Sequence, residues 1–245
     1  MKIAKVIPCF PYTQFRRQGQ GTNGSINYEV WLKTFTNVMH QETTVDTGVD
    51  TDVFLYYRFV EGDDLGKADI YKYHLSKTKN GTVFVDSMEN DASIGFSTIK
   101  TFLDTDIAKE YDFLLYQEDD IQILTNSDGY LKEAVELIRD NWVIAFSVAV
   151  IKPIIHIGGF FGLIPMKPLL DNLDKFPEAR LMDNEVEINR WALDAVGITS
   201  IKEVKYLEKY DNRPENLEHM GIFKQHYVIP FWKEGDKFLF KVGPT

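Results

Sequence analysis

Short apolar runs alternate with longer amphipathic segments along this chain, and the alternation predicts both strands and helices. Apolar runs bounded by polar, glycine or proline residues predict strands at residues 3–7, 53–57, 83–85 and 112–117. Pro8 is expected to end the first of them. Apolar side chains recur at helical spacing between Tyr28 and Met39, so residues 26–40 predict an amphipathic helix.

The second half of the chain continues the alternation. Helices are predicted from Ser97, as a possible cap, to Ile107, from Leu131 to Ile138, and from an Asp183 cap to Val196. The run from Val143 to Ile151 is apolar enough to predict a strand buried on both faces. We therefore expect one α/β domain with a mostly parallel sheet flanked by helices. Residues 1–125 and 126–245 are its two halves and share that sheet.

Composition and charge exclude several classes of protein. The 245 residues carry a formal net charge of −10, which argues against nonspecific nucleic-acid binding. The single cysteine, Cys9, excludes an internal disulfide framework and a multi-cysteine zinc site. We interpret Cys9 as a buried thiol. No apolar run is long enough for a transmembrane segment, and the first residues do not resemble a signal peptide, so we expect a soluble, cytoplasmic protein.

Three adjacent acids, Glu118, Asp119 and Asp120, follow the apolar strand at 112–117 directly. Ligands of open α/β sheets bind at the carboxyl ends of strands. Acids placed side by side repel one another, and a hard divalent cation can neutralise them. The alternative is a solvated acidic turn, but the buried strand delivers these acids to a definite place.

The segment from Phe113 to Ile121 resembles the Asp-x-Asp region of GT-A glycosyltransferases in a Glu-Asp-Asp form. Further segments resemble the family-2-like members of that fold in the same order along the chain. They are Lys5–Phe10, Tyr28–Gln41, Glu89–Gly95, Gly158–Leu163 and Asn184–Arg190. The resemblance covers about residues 3–200 and implies a single GT-A-like domain. It implies transfer of a sugar from a nucleoside-diphosphate sugar, with a UDP-sugar favoured, to a glycan or other hydroxyl acceptor.

The same resemblance implies roles for individual residues. Asp120 corresponds to the direct ligand of Mn²⁺ or Mg²⁺, and Glu118 and Asp119 to acids that contact ribose and water. A C-terminal histidine often completes the metal site, and His219 fits best, with His226 in reserve. The donor side is expected to include Pro8, Phe10, Arg58 and Asp91.

The acceptor and the catalytic base are expected in the second half. Gly158 and Gly159 lack a Cβ and let backbone approach a ligand, so they and Phe160 are predicted beside the acceptor. Inversion in one displacement requires a carboxylate base. Glu185 falls where the resembling family keeps its catalytic acid, and Asp183, better placed to cap the helix, is the reserve.

Two other functions are compatible with the same residues. A metal-dependent nucleotidyltransferase also combines an α/β sheet with carboxylate-held metal. A non-catalytic nucleotide-sugar-binding domain would keep the acids and lose the base. Gly19, Gly21 and Gly24 match the spacing of a dinucleotide-binding loop but lie too far beyond the first strand to predict one.

Overall fold

The structure is a computed structural model of the 245-residue chain. It describes residues 1–11, 28–59, 61–62, 64–91, 95–119, 121–123, 128–138, 142–145, 148–151, 154–157, 162–178, 184–197, 200–204, 207–210, 219–221, 226–234 and 237–240.

Strands and helices alternate through the first half, and strands predominate at the end. The strands are β1 (Lys2–Cys9), β2 (Asp50–Phe59), β3 (Val83–Glu89), β4 (Phe113–Tyr116), β5 (Ile121–Ile123), β6 (Trp142–Ala145), β7 (Val148–Ile151), β8 (Ile154–Ile157), β9 (Gly162–Pro165), β10 (Ser200–Val204), β11 (Leu207–Tyr210), β12 (His219–Gly221), β13 (His226–Glu234) and β14 (Lys237–Phe240). The helices are α1 (Tyr28–Thr44), α2 (Lys67–Tyr71), α3 (Ser97–Leu103), α4 (Tyr130–Leu137), α5 (Met166–Asp171) and α6 (Asn184–Val196). Short 3₁₀ helices cover Asp106–Glu110 and Leu173–Lys175.

One large sheet organises the molecule. Among the described residues it has nine strands in the order β14-β13-β10-β6-β9-β4-β1-β2-β3. The pairs β1/β2, β2/β3, β1/β4 and β6/β10 are parallel. The antiparallel pairs all involve β9 or β13, so only these two strands run against the rest. The prediction of a mostly parallel α/β sheet flanked by helices is confirmed.

Strand order defines where a ligand can bind. The chain builds β1, β2 and β3 on one side and then crosses to place β4 on the other side of β1. The carboxyl ends of β1 and β4 therefore lie side by side, at the point where the order reverses. In open α/β sheets the crevice at such a point is the usual ligand site.

The interior forms three clusters of buried side chains. The largest joins one face of the sheet to α3, α5 and α6, through residues such as Phe102, Leu114 and Trp191. A second packs α1 on β1 and β2, with Trp31 and Phe35 fully buried. The third lies between β4, β5 and α4. The carboxyl ends of β1 and β4 thus rest on rigid packing from both faces of the sheet.

The strand predicted from Val143 to Ile151 is wrong as a single element. Only β6 joins the central sheet, next to β9 and β10. β7 pairs instead with β8 in a separate antiparallel pair. The sequence pattern could not reveal this division, because β6 and β7 are both apolar. Their placement depends on the strands with which each of them pairs.

Pro8 does not end the first strand, because β1 continues to Cys9. The backbone N–H of Gln117 donates to the Val6 carbonyl at 3.0 Å, so the polar backbone groups of Val6, and by alternation those of Pro8, face β4. Pairing with β4 stops at Val6. The N–H that Pro8 lacks would therefore point toward β4 at a position where no β4 residue pairs with it. The proline thus costs the sheet no hydrogen bond.

Candidate functional site

Asp119 connects, through hydrogen bonds, the elements that meet at the carboxyl ends of β1 and β4. It is 1% exposed, although it follows β4 in a turn at the edge of the sheet. Its Oδ2 accepts hydrogen bonds from the Phe10 backbone N–H at 2.8 Å and from the Trp31 indole Nε1 at 2.7 Å. This carboxylate thus fixes the end of β1, the first turns of α1 and the acidic turn in one arrangement.

The inward position of Asp119 bears on its two acidic neighbours. Glu118 is half-buried, and Asp120 lies outside the described residues. The inward position of Asp119 leaves its carboxylate engaged with Phe10 and Trp31. The prediction that Asp119 contacts the donor stays a prediction, and the contacts described here assign it a share in holding the turn.

Cys9 and Pro8 lie beside this anchor. Cys9 is fully buried, and its Sγ lies 3.7 Å from the Ile7 carbonyl oxygen. Burial first, and the charge of Asp119 second, raise the pKa of the Cys9 thiol well above its usual value. The thiol therefore stays protonated and unreactive, in agreement with its interpretation as a packed side chain. Pro8 packs near Gly95, where an added Cβ would lie 2.7 Å from the Tyr116 hydroxyl.

Arg58 is buried rather than open to a ligand. It lies near the carboxyl end of β2 and is 1% exposed. Nε donates to Asn90 Oδ1 at 3.2 Å, Nη1 to the hydroxyls of Ser97 and Thr98 at 2.8 and 2.9 Å, and Nη2 to Asp91 Oδ1 at 2.8 Å. Burial lowers the pKa of Arg58, and Asp91 opposes that shift. Most of the guanidinium nitrogens therefore donate hydrogen bonds inside the protein, and Arg58 holds the segment that follows β3 in place.

The Arg58 contacts also correct the expected role of Ser97. Ser97 is the first residue of α3, after Phe96 at the N-cap position, and its hydroxyl accepts a hydrogen bond from Arg58. Asp91, with its side chain 38% exposed, is the member of this network that reaches the surface. The structure therefore places Asp91 beside the carboxyl end of β3, held there by Arg58.

In the second half, α6 brings Glu185 toward the end of β8. Glu185 lies in the first turn of α6 and is half-buried. Asn189, one turn later, is 1% exposed and bonds both the N–H and the carbonyl of Ile157, the last residue of β8. Gly158, Gly159, Phe160 and Asp183 lie outside the described residues, so their predicted roles stay predictions.

A three-stranded sheet links His219 to the strand that follows the acids. Ile121, the residue after Asp120, pairs with Lys209 of β11, and Lys209 pairs with Met220 of β12. β12 is antiparallel to β11, which is antiparallel to β5, so His219 precedes Met220 as Asp120 precedes Ile121. His226 begins β13, in the central sheet. The backbone register thus places His219 two strands from the start of β5, and the choice between His219 and His226 as metal ligand stays a prediction.

Two further observations concern sites elsewhere. A groove of about 270 Å³ lies between residues 172–177, which include the 3₁₀ helix at Leu173–Lys175, and the face of α6 that carries Glu187 and Arg190, and it shares no lining residue with the predicted site. Within the described ranges, no group of three or more His, Cys, Asp and Glu side chains could hold a metal ion. A search of the same residues finds no helix long and apolar enough to cross a membrane.

Sequence reasoning missed Trp31 and Asn189 as functional residues. Trp31 falls on the apolar face of α1, which predicts packing and says nothing of its indole N–H. Asn189 is a polar residue between Ile188 and Trp191 on the face of α6 that packs into the core. A polar side chain on a buried helix face was the available signal, because such a group requires hydrogen-bond partners.

Comparison with known proteins identifies a fold and no family. No protein-family model and no curated protein matches the chain. Among solved structures, S. aureus TarS is similar with a TM-score of 0.52 at 16% identity, over 84% of this chain and 36% of TarS. The chain therefore spans little more than a third of the length of that structure.

Other similar structures align less closely. A structure of S. aureus TarS 1–349 has a TM-score of 0.48 at 14% identity, over 79% of this chain and 55% of that one. A 4-diphosphocytidyl-2C-methyl-D-erythritol synthase from Anaerococcus prevotii DSM 20548 has a TM-score of 0.39 at 12% identity, over 76% and 80%. With TM-scores below 0.5, these two structures support no conclusion about this chain. The TarS comparison, at its low identity, shows the fold alone: this chain has a TarS-like α/β fold.

Proposed function

We propose that this protein is an inverting, metal-dependent glycosyltransferase that moves a sugar from a nucleoside-diphosphate sugar to a hydroxyl acceptor. The observation that carries the proposal is the buried Asp119 anchor, which fixes an acidic turn beside the carboxyl end of β1 where the strand order reverses. This is the crevice in which open α/β sheets bind ligands. A UDP-sugar is the favoured donor, and a glycan or small hydroxyl compound is the acceptor.

The residues present suit a hard divalent cation such as Mn²⁺ or Mg²⁺. Glu118 and Asp120 offer carboxylate oxygens, and His219 offers an imidazole. Adjacent strands lie about 4.8 Å apart, so two strand spacings separate the β5 and β12 rows by roughly 10 Å, a span that an acid and a histidine can share around one ion. A bound cation supplies Lewis-acid stabilisation of the diphosphate leaving group.

The chain's own residues divide the remaining work. Pro8 and Phe10, at the end of β1, and Asp91, held by Arg58, are proposed to position the nucleotide. Glu185 is the proposed base that takes the proton from the acceptor hydroxyl, with Asp183 in reserve. The N-terminal end of α6 favours a negative charge at Glu185, as a base requires before reaction. Gly158, Gly159 and Phe160 are proposed to lie beside the acceptor.

The first test is donor binding. We expect the melting temperature of the protein to rise with one of UDP-, GDP- or dTDP-sugars in the presence of Mn²⁺, and much less with the metal withheld, because binding to the folded state stabilises it. Asp120→Asn should abolish the metal-dependent part of the shift while its own unliganded melting temperature stays near that of the parent. A mutant that binds donor and metal as the parent does would contradict the metal assignment.

Product analysis separates the alternatives. A glycosyltransferase releases the nucleoside diphosphate, and its release increases when the acceptor is added. A nucleotidyltransferase consumes a nucleoside triphosphate and releases pyrophosphate. A non-catalytic binding domain shows the thermal shift and releases neither product.

A further inference from the structure

Asn189 is a buried polar side chain with every amide group in use. Its Oδ1 accepts from the Ile157 N–H at 2.8 Å, and its Nδ2 donates to the Ile157 carbonyl at 3.2 Å and to the Glu185 carbonyl at 2.8 Å. The side chain is 1% exposed and Ile157 is fully buried. The orientation of the amide is fixed by its partners, because the Ile157 N–H requires an acceptor and the two carbonyls require donors.

The contact with Ile157 takes the place of a neighbouring strand. Ile157 faces Val148 in the β7/β8 pair, and its N–H and carbonyl both point away from that partner toward Asn189. A helix side chain therefore completes the hydrogen bonding of β8 at its last residue. An unmet backbone pair buried at this position would destabilise the fold, because each group would lose its hydrogen bonds to water without gaining a partner.

The third bond reaches the first turn of α6. The Glu185 carbonyl belongs to the residue that the proposed function makes the base, and Asn189 holds it together with the end of β8. Apolar packing supports the same junction, since Ile157, Ile188 and Ala192 belong to one buried cluster. Packing of this kind tolerates small shifts along a helix axis, whereas three hydrogen bonds to one amide do not.

We propose that Asn189 is a positioning residue that fixes the Glu185 turn of α6 relative to the end of β8. This inference rests on the proposed function in so far as Glu185 acts in transfer. Asn189 does not touch substrate; it acts by holding the backbone of Glu185 against the strand that leads to Gly158.

Asn189→Asp is the sharpest test, because it keeps the shape and one acceptor but loses both donated hydrogens. We expect faster hydrogen exchange in peptides covering residues 154–157 and 184–190. We also expect a fall in kcat for transfer of on the order of tenfold or more, since small displacements of catalytic groups are costly. Donor affinity should stay within about twofold of the parent, because the donor side is built on β1 and β4. Asn189→Ala serves if the aspartate variant fails to fold.

Trp191→Phe is the matched control. It removes one hydrogen bond made by the same helix, from Trp191 Nε1 to the Asn172 carbonyl at 3.0 Å, and Asn172 lies outside β8. It should lower the melting temperature and leave kcat and the exchange of residues 154–157 unchanged. Equal kinetic losses in both variants, or parent-like exchange and kcat in the Asn189 variants, would overturn the proposal. If the parent protein transfers no sugar, the proposed function fails, and the exchange data alone decide whether Asn189 joins the two elements.

Discussion

At the scale of single residues, three buried polar side chains hold the candidate site in shape. Asp119 joins β1 to α1, Arg58 fixes the segment after β3, and Asn189 joins β8 to α6. Each makes two or more hydrogen bonds inside the protein. A buried polar group that is fully satisfied favours one arrangement strongly, because any other leaves charges or dipoles unmet. The groups proposed to touch substrate stand next to these side chains in sequence or in space.

The proposed base gives a prediction at this scale. Glu185→Gln removes the carboxylate and keeps the size of the side chain, so it should cut transfer by on the order of 10²-fold or more, the usual effect of losing a general base. Donor affinity, measured by the Mn²⁺-dependent thermal shift, should change little. Glu187→Gln is the control, since Glu187 lies two residues further along α6 and pairs with Arg190 at 3.3 Å. A Glu185→Gln protein that transfers at the parent rate would remove Glu185 from the mechanism.

At the scale of elements, a buried ion pair joins the central strand to two helices. Lys5 lies in the middle of β1, and its Nζ donates to Glu42 of α1 at 2.6 Å and to the Tyr130 hydroxyl of α4 at 3.1 Å. Lys5 is 1% exposed. Burial alone lowers the pKa of Lys5, but Glu42 and Tyr130 outweigh it and raise that pKa above its ordinary value. Lys5 therefore stays charged, and its charge depends on its partners.

A double-mutant cycle tests this junction. Lys5→Met leaves the Glu42 carboxylate buried without its cation, so it should lower the free energy of unfolding by about 3–5 kcal/mol. Adding Glu42→Leu should restore most of that loss, because no uncompensated charge then remains. Lys100→Met is the control: Lys100 and Asp104 form an exposed pair, and the change should cost no more than about 1 kcal/mol. Denaturant unfolding of the parent, Lys5→Met, Glu42→Leu, the double variant and the Lys100→Met control measures the cycle, and additive effects of the two buried changes would contradict the pairing.

At the scale of the whole molecule, opposite ends of the parallel strands carry different kinds of polar group. At the amino ends, Asp52 of β2 accepts from the Thr82 N–H at 2.7 Å and from the Tyr111 hydroxyl at 2.8 Å, and pairs with Lys2 Nζ at 2.8 Å. These partners precede β3, precede β4 and begin β1. The Asp52 carboxylate thus connects the amino-terminal ends of β1, β2, β3 and β4. Gly81 makes this possible, because an added Cβ would lie 2.3 Å from the Thr51 carbonyl oxygen.

Acid unfolding should report on Asp52. Burial by itself raises the pKa of Asp52, but the hydrogen bonds from Lys2, Thr82 and Tyr111 together lower it below its usual value. A carboxyl whose folded pKa is depressed stabilises the protein above its unfolded pKa of about 3.9, and that contribution is lost as the pH falls toward the folded pKa. Asp52→Asn should therefore lower the free energy of unfolding at pH 7 by about 1–3 kcal/mol and much less at pH 3. A difference independent of pH between 7 and 3 would contradict this role.

Local sequence pattern is enough to predict β1 to β4, α1 and α6, and their order along the chain. Apolar runs located β1 to β4, because strands buried by flanking helices must be apolar on both faces. Helical spacing located α1 and α6, and Gly197, with a φ of 63°, follows α6 as the left-handed residue that ends a helix. The position of the acids directly after β4 could also be read from the sequence, since it depends only on chain order.

The burial of polar groups and the pairing of strands depend on how the folded elements pack. Nothing local shows that Asp119 turns inward to Trp31, that Arg58 is enclosed, or that Lys5 meets Glu42 across 37 positions. Nor could the apolar run from Val143 to Ile151 reveal that it divides between two sheets. Local pattern records the burial of apolar surface, which repeats with the period of each element. The partner of a polar group is set by which elements pack together, and that is a property of the folded chain.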